Sequence, residues 1–247
     1  MTPSPRIALL GEADSYSGPA LARTLAARGH HLVLGDATAD LVAELKAGGT
    51  SVVNVTGLDH LREAPASQRL VDAALSEFGR IDAATTFSGI IVTGRFLDSS
   101  FEDYQRAVKS CLEIPYHFLR AIVPVMAEQG YGQVLLQTSA TGGRATPGAP
   151  LYSMARAGAN HLVRNVAAEV AGRGVQVNAV GTNFMDFPGF LAANGVTSPE
   201  ARSKVESRVP MRRLGDLDEF AAFCAAFLDG SSTFVTGQFV SYSGGWG

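Results

Sequence analysis

Cysteine is scarce in this chain: Cys111 and Cys224 are the only two, both in helical-looking segments and without metal-type spacing. They read as buried thiols of a cytosolic protein. The five histidines (His30, His31, His60, His117 and His161) form no pattern such as His-x-x-x-His, so no metal site is expected. Charge of one sign is nowhere concentrated. The net charge is -3, with no basic patch and no basic amphipathic helix, which argues against nucleic acid and membrane surfaces as partners. No apolar run approaches membrane-spanning length, and the start, MTPSPRIALLG, has too short an apolar part for a signal peptide. A cytoplasmic location follows as the expectation. Repeats and linker-like breaks are also missing, so residues 1–247 read as one domain, and 46% hydrophobic content suits a well-filled α/β core.

Short apolar runs alternate with longer amphipathic ones, the signature of βα units and a parallel sheet. Strands are expected at residues 6–10, 31–34, 51–55, 81–86, 133–138, 175–180 and 238–241. Helices are expected around residues 20–28, 39–47, 67–78, 101–128, 151–171 and 217–228, with Pro115 and Pro124 bending or dividing the fourth. Residues 181–213 form one long irregular piece, read as a lid or binding loop. The sum is a single Rossmann-like, doubly wound, seven-stranded parallel sheet with helices on both faces. Its ligands are expected beyond the strand carboxyl ends.

One stretch carries chemistry: Ser139, twelve residues, Tyr152, three residues, Arg156. Ser139 closes the apolar run Val134–Leu136, so it belongs at a strand end, while Tyr152 follows Pro150 early in a helix. Positions i and i+4 share a helix face, which stacks Arg156 one turn beyond Tyr152. A free phenol, with a pKa near ~10, is a poor base at neutral pH. A guanidinium alongside favours its phenolate, and a serine hydroxyl can hold a substrate oxygen. The three together suit proton exchange with a substrate oxygen; the plainer reading is a buried serine and a packed Tyr–Arg pair.

The first βα turn, Gly11-EADS-Tyr16-Ser17-Gly18, departs from a dinucleotide-binding loop. Gly18 keeps an expected place, but Tyr16 stands where the central glycine belongs and Glu12 where an earlier one does. The ring would fill the pyrophosphate's space and the carboxylate would repel it. Asp36 sits where a ribose-binding carboxylate would, though a strand-end turn residue is the more ordinary reading.

Over nearly its whole length the chain resembles the short-chain dehydrogenase/reductase superfamily, through Phe87-Ser88-Gly89, Ser139, Tyr152 and the closing FVTGQFVSYSGGW. It departs in Arg156 for the superfamily's lysine, in the first loop, in Cys111 for an asparagine, and in Thr86-Phe87-Ser88-Gly89 for Asn-Asn-Ala-Gly. With these departures it is similar to one offshoot, the halohydrin dehalogenases, which have Ser, twelve residues, Tyr, three residues, Arg and a first-loop aromatic in Thr-x4-Phe/Tyr-x-Gly. Gly11 stands here for that threonine.

That resemblance implies a cofactor-free lyase that converts vicinal halohydrins to epoxides, halide and a proton, and opens epoxides with halide, azide, cyanide or nitrite. Tyr152 and Arg156 would move the proton and Ser139 would hold the oxygen. Tyr16 and Thr182-Asn183-Phe184-Met185 would bind the halide through backbone N–H groups. Phe87, Phe187 and Phe190 would line the substrate pocket or simply pack. The resemblance also implies a homotetramer through the fourth and fifth long helices, with Ala155, Ala157, Gly158 and Ala159 allowing close approach. The end at Gly247, directly after the final turn, implies a more open site than in a tailed relative. Two alternatives stay open: an atypical NAD(P)-dependent short-chain reductase, and a non-catalytic binding relative.

Overall fold

Runs of Val, Leu, Ile and Ala become the strands of a seven-stranded sheet in a computed structural model that describes residues 4–87 and 89–247. Ser88, the middle of the Phe-Ser-Gly landmark, lies outside the described residues. The strands are β1 (Ile7–Leu10), β2 (His31–Gly35), β3 (Val52–Val55), β4 (Ala83–Phe87), β5 (Gly132–Ser139), β6 (Val175–Thr182) and β7 (Phe239–Tyr242). Their order is β3-β2-β1-β4-β5-β6-β7, and every pairing is parallel. This is the Rossmann-like sheet that the alternation predicts.

Helices α1 (Gly18–Ala27), α2 (Ala39–Ala47) and α9 (Leu217–Ala225) cover one face, and α3 (Ala64–Phe78), α5 (Ile114–Gln129) and α6 (Pro150–Val170) the other. Strand β5 shows why both faces must be covered. All eight of its residues are buried, with Val134 and Leu136 packed among the α3–α5–α6 side chains and Leu135 among those of α1 and α9. Each such side chain withdrawn from water stabilises the fold by ~1.5–3 kcal/mol. None of the described helices is long and apolar enough to cross a membrane, and no His/Cys/Asp/Glu group suits a metal among the described residues.

The fourth helix is divided, one of the two outcomes expected of its prolines: α4 (Phe101–Val108) runs into a π turn at Lys109–Glu113 and then α5. Pro115, which has no N–H, sits at the start of α5 and falls at this break, whereas Pro124 lies inside α5 without dividing it. The piece at 181–213 is not irregular throughout. It holds α7 (Pro188–Ala193) and α8 (Pro199–Glu206), each with proline in its first turn, and Ser198 caps α8 by accepting from the Ala201 amide.

Candidate active site

Ser139 is the last residue of β5 and pairs in register with Thr182, the last residue of β6. Its hydroxyl donates to the Thr182 carbonyl (3.4 Å) and accepts from the Thr141 hydroxyl (3.0 Å) and amide (3.3 Å). Tyr152 lies in the first turn of α6, started by Pro150, and is buried. One turn on, Arg156 has no exposed surface. Its guanidinium carbon lies 5.0 Å from the Tyr152 ring centre and 5.7 Å from that of Phe87, so the cation rests between aromatic faces. Gly89 permits this approach: a Cβ there would meet Arg156 Nη2 and Cys111 Sγ, each at 2.7 Å. None of the three guanidinium nitrogens has a hydrogen-bond partner among the described residues. Burial opposes the charge, but the Tyr152 phenol and Cys111 thiol beside it raise the arginine's pKa, so it stays a cation.

Ser139 and Tyr152 face a cavity of about 250 Å³ that is also lined by Tyr16, Phe87, Thr182, Asn183, Phe184, Met185, Phe187 and Phe190. The residues expected to act on the substrate, hold the halide or line the pocket therefore border this space, except Arg156, which lies behind Tyr152. Tyr16 has a left-handed backbone (φ 51°) and its hydroxyl donates to Thr182 Oγ1 at 2.8 Å. Its ring packs 4.7 Å from Phe87 and 4.8 Å from Phe187. Burial pushes the Tyr16 phenol well above its usual range, so it remains a neutral donor. Phe187 thus serves both as wall and as packing for Tyr16, and Phe190 stacks edge-on with Phe184 at 5.8 Å.

Among the halide donors expected at 182–185, the Phe184 N–H donates to its neighbour's side chain, Asn183 Oδ1 (2.9 Å), and Gly215 pairs beside Met185 through the Phe184 carbonyl and the Asp186 amide, both at 2.8 Å. Sequence reasoning missed Arg208 and Trp246, which also line the cavity. Arg208 comes from the lid and Trp246 from the chain end, and only the fold brings them to β5.

The first βα turn is folded back on the sheet. The Gly11 amide donates to Thr85 O and the Ala13 amide to Gly35 O, both at 2.9 Å. Asp36 spends its carboxylate on the amides of Gly57 (2.6 Å) and Leu58 (3.0 Å), so the turn-residue reading holds for it. Asp59, His60 and Leu61 follow with left-handed backbones, and Leu61 is driven fully into the core above β1. This accounts for Gly11: a Cβ there would meet Thr86 Oγ1 at 2.7 Å and Leu61 Cδ1 at 2.8 Å. A threonine at that place has no room. Glu12 lies under this plug, with its Oε1 3.7 Å from His60 Nδ1. Burial first, and Asp14 second, push its carboxyl up to about 8, leaving it neutral at pH 7.

Residues 14–247 match the family model described as enoyl-(acyl carrier protein) reductase. Among curated relatives, the chain is 30% identical to the 3-oxoacyl-(acyl-carrier-protein) reductase of Synechocystis sp., over 97% of this chain and 96% of that protein. It is 27% identical to the Thermotoga maritima enzyme of the same name, over 97% of both. Among solved structures, a 7α-hydroxysteroid dehydrogenase complexed with NADH and 7-oxo-glycochenodeoxycholic acid superposes with a TM-score of 0.86 at 25% identity. That match covers 97% of this chain and 93% of the other. Levodione reductase superposes at 0.84, also 25% identical, covering 97% and 96%.

These relatives overturn the expected reaction: reductases and a dehydrogenase stand where halohydrin dehalogenases were expected, so the lyase assignment is withdrawn. The physical reason is twofold. The spacing of Ser139 and Tyr152 suits proton exchange at an oxygen, a pattern that carbonyl and halohydrin chemistry share and that does not separate them. The features that would single out halide departure are altered here, with Gly11 wedged against Leu61 and the Phe184 amide already engaged.

Proposed function

We propose, from the premise that this chain belongs to the short-chain dehydrogenase/reductase superfamily, that it is an atypical short-chain reductase acting at the oxygen of a small carbonyl or alcohol. The observation that carries this reading is the cavity shared by Ser139 and Tyr152, with a buried Arg156 behind the phenol. In the reducing direction Tyr152 gives its proton to the substrate oxygen as negative charge builds there. Ser139 holds that oxygen by turning its hydroxyl away from the long contact with Thr182. Arg156 then faces the phenolate. A fixed cation this close to the ring favours the charged form of the phenol. A preset charge of this kind needs no reorganisation when the proton moves.

The solved 7α-hydroxysteroid dehydrogenase to which the chain is similar is complexed with NADH. The seat such a dinucleotide would take is narrowed in this fold, so nucleotide is expected to bind weakly. Tyr16 fills the turn where the pyrophosphate passes, Leu61 covers the end of β1, and Asp36 has both carboxylate oxygens engaged. The reading is therefore derived for the oxygen half of the reaction alone. Its test is turnover of a panel of small ketones with NADPH and with NADH, for the wild type, Tyr152→Phe and Tyr16→Gly. Nucleotide oxidation is expected to fall at least ~100-fold in Tyr152→Phe. Nucleotide affinity is expected to rise at least tenfold in Tyr16→Gly. Undiminished turnover by Tyr152→Phe, or no turnover by the wild type and by the opened variant alike, would overturn it.

A further inference from the structure

Among the described residues lining the Ser139–Tyr152 cavity, only Arg208 carries a formal charge, and no Asp, Glu or Lys is with it. The walls are otherwise aromatic rings, small aliphatic groups, hydroxyls and amides. Arg208 is exposed, so it stands at the mouth, and its guanidinium carbon lies 5.2 Å from the Phe184 ring centre. That stacking fixes the side chain while leaving its N–H fork available.

Two other lid cations are neutralised, while Lys204 and Arg212, which have no ion pair among the described residues, do not line the cavity. Arg202 holds Asp186 and Glu206, and Arg213 holds Glu219. Arg208 has no carboxylate within ion-pair distance among the described residues. Behind the floor Arg156 adds a second positive charge, which Glu12, neutral at pH 7, does not offset. The cavity thus presents a proton-exchanging phenol inside and an uncompensated cation at the entrance, with apolar walls between. Low-dielectric walls of that kind focus an attractive field on an anion.

We infer that the substrate is a small hydroxy or oxo acid, its reacting oxygen at Tyr152 and Ser139 and its carboxylate held by Arg208. A guanidinium fork matches a carboxylate with two parallel hydrogen bonds, which a neutral ester cannot reproduce. The inference rests on the proposed acid–base role of Tyr152, but it makes a claim about binding that stands apart from turnover.

Trp246, the chain's single tryptophan, lines the same cavity and is held by Arg144, whose guanidinium carbon lies 4.4 Å above its ring. Its fluorescence reports occupancy without catalysis. The experiment titrates the wild type with 3-hydroxybutyrate, 4-hydroxybutyrate and 5-hydroxypentanoate, with the methyl ester of each, and with acetate. At least one acid is expected to bind about tenfold more tightly than its ester, and more tightly than acetate. Arg208→Gln is expected to abolish the acid–ester difference, Arg208→Lys to keep part of it, and Tyr152→Phe to leave it intact. An acid–ester ratio near one in the wild type, or a ratio unchanged in Arg208→Gln, would overturn the inference. Acetate binding as tightly as the best hydroxy acid would overturn it too, by reducing the site to a bare anion site. Loss of the Tyr152 role would instead show as undiminished ketone turnover by Tyr152→Phe, with the binding ratios untouched.

Discussion

Arg156 holds a full charge with no exposed surface and no hydrogen-bond partner among the described residues. Such a group costs stability, and apolar replacements of buried ions are often neutral or stabilising. Arg156→Met should therefore melt at or above the wild-type temperature while losing about 100-fold in ketone turnover. A large drop in melting temperature with activity retained would make Arg156 a structural residue. Glu12 offers a second check. Its folded carboxyl titrates at about 8 against an ordinary 4.5, pushed up by burial and by Asp14, with Arg156 and Arg62 opposing and Asp36 adding to the rise. Between those values the fold holds a proton that the unfolded chain has lost. Its contribution to stability is full below about 4.5 and is lost as pH rises through about 8. Glu12→Gln stays neutral throughout, so its melting temperature should gain on the wild type steadily from pH 5 to pH 8.5. A constant gap would mean that Glu12 is ionised in the fold.

The lid owes its order to element ends. Ser198 caps α8 and Pro188 and Pro199 open α7 and α8, while Phe184, Val205, Val209 and Leu214 form a small cluster of their own. Because that cluster is separate from the two large cores, losing the cap should loosen the lid and little else. Removing such a cap costs ~1 kcal/mol, or about a fivefold rise in the open population. Ser198→Ala should be cut about fivefold faster by protease between residues 190 and 210, with the global melting temperature nearly unchanged. Equal cutting rates would place the lid's stability elsewhere. The Ser-Pro-Glu run at 198–200 is a readable helix start, masked in the sequence by the glycines and prolines around it.

For the whole molecule, the four-chain assembly implied by resemblance remains a proposal, now with a surface to carry it. Between α5 and α6 runs an open groove of about 380 Å³ lined by Tyr116, Leu119, Val123, Leu162 and Val166, and Phe101 and Met154 stand exposed on α4 and α6. Of the four small residues on α6, Ala155 and Ala159 face the interior, and Ala157 and Gly158 alone reach the surface where a neighbour could approach. Light scattering should give four times 25.9 kDa, and Tyr116→Glu should lower it; a single-chain mass would end the proposal. Apolar periodicity alone determined the parallel sheet and its helices, and residue spacing alone put Ser139 at a strand end and Tyr152 and Arg156 on one helix face, because those are local geometries. The tertiary structure decided the rest. Leu61 reached β1 through a left-handed turn, Tyr16 found Thr182 across the sheet, and Arg208 and Trp246 came to one cavity from distant segments. Contacts of that range follow from how the whole chain packs, and no short stretch of sequence encodes them.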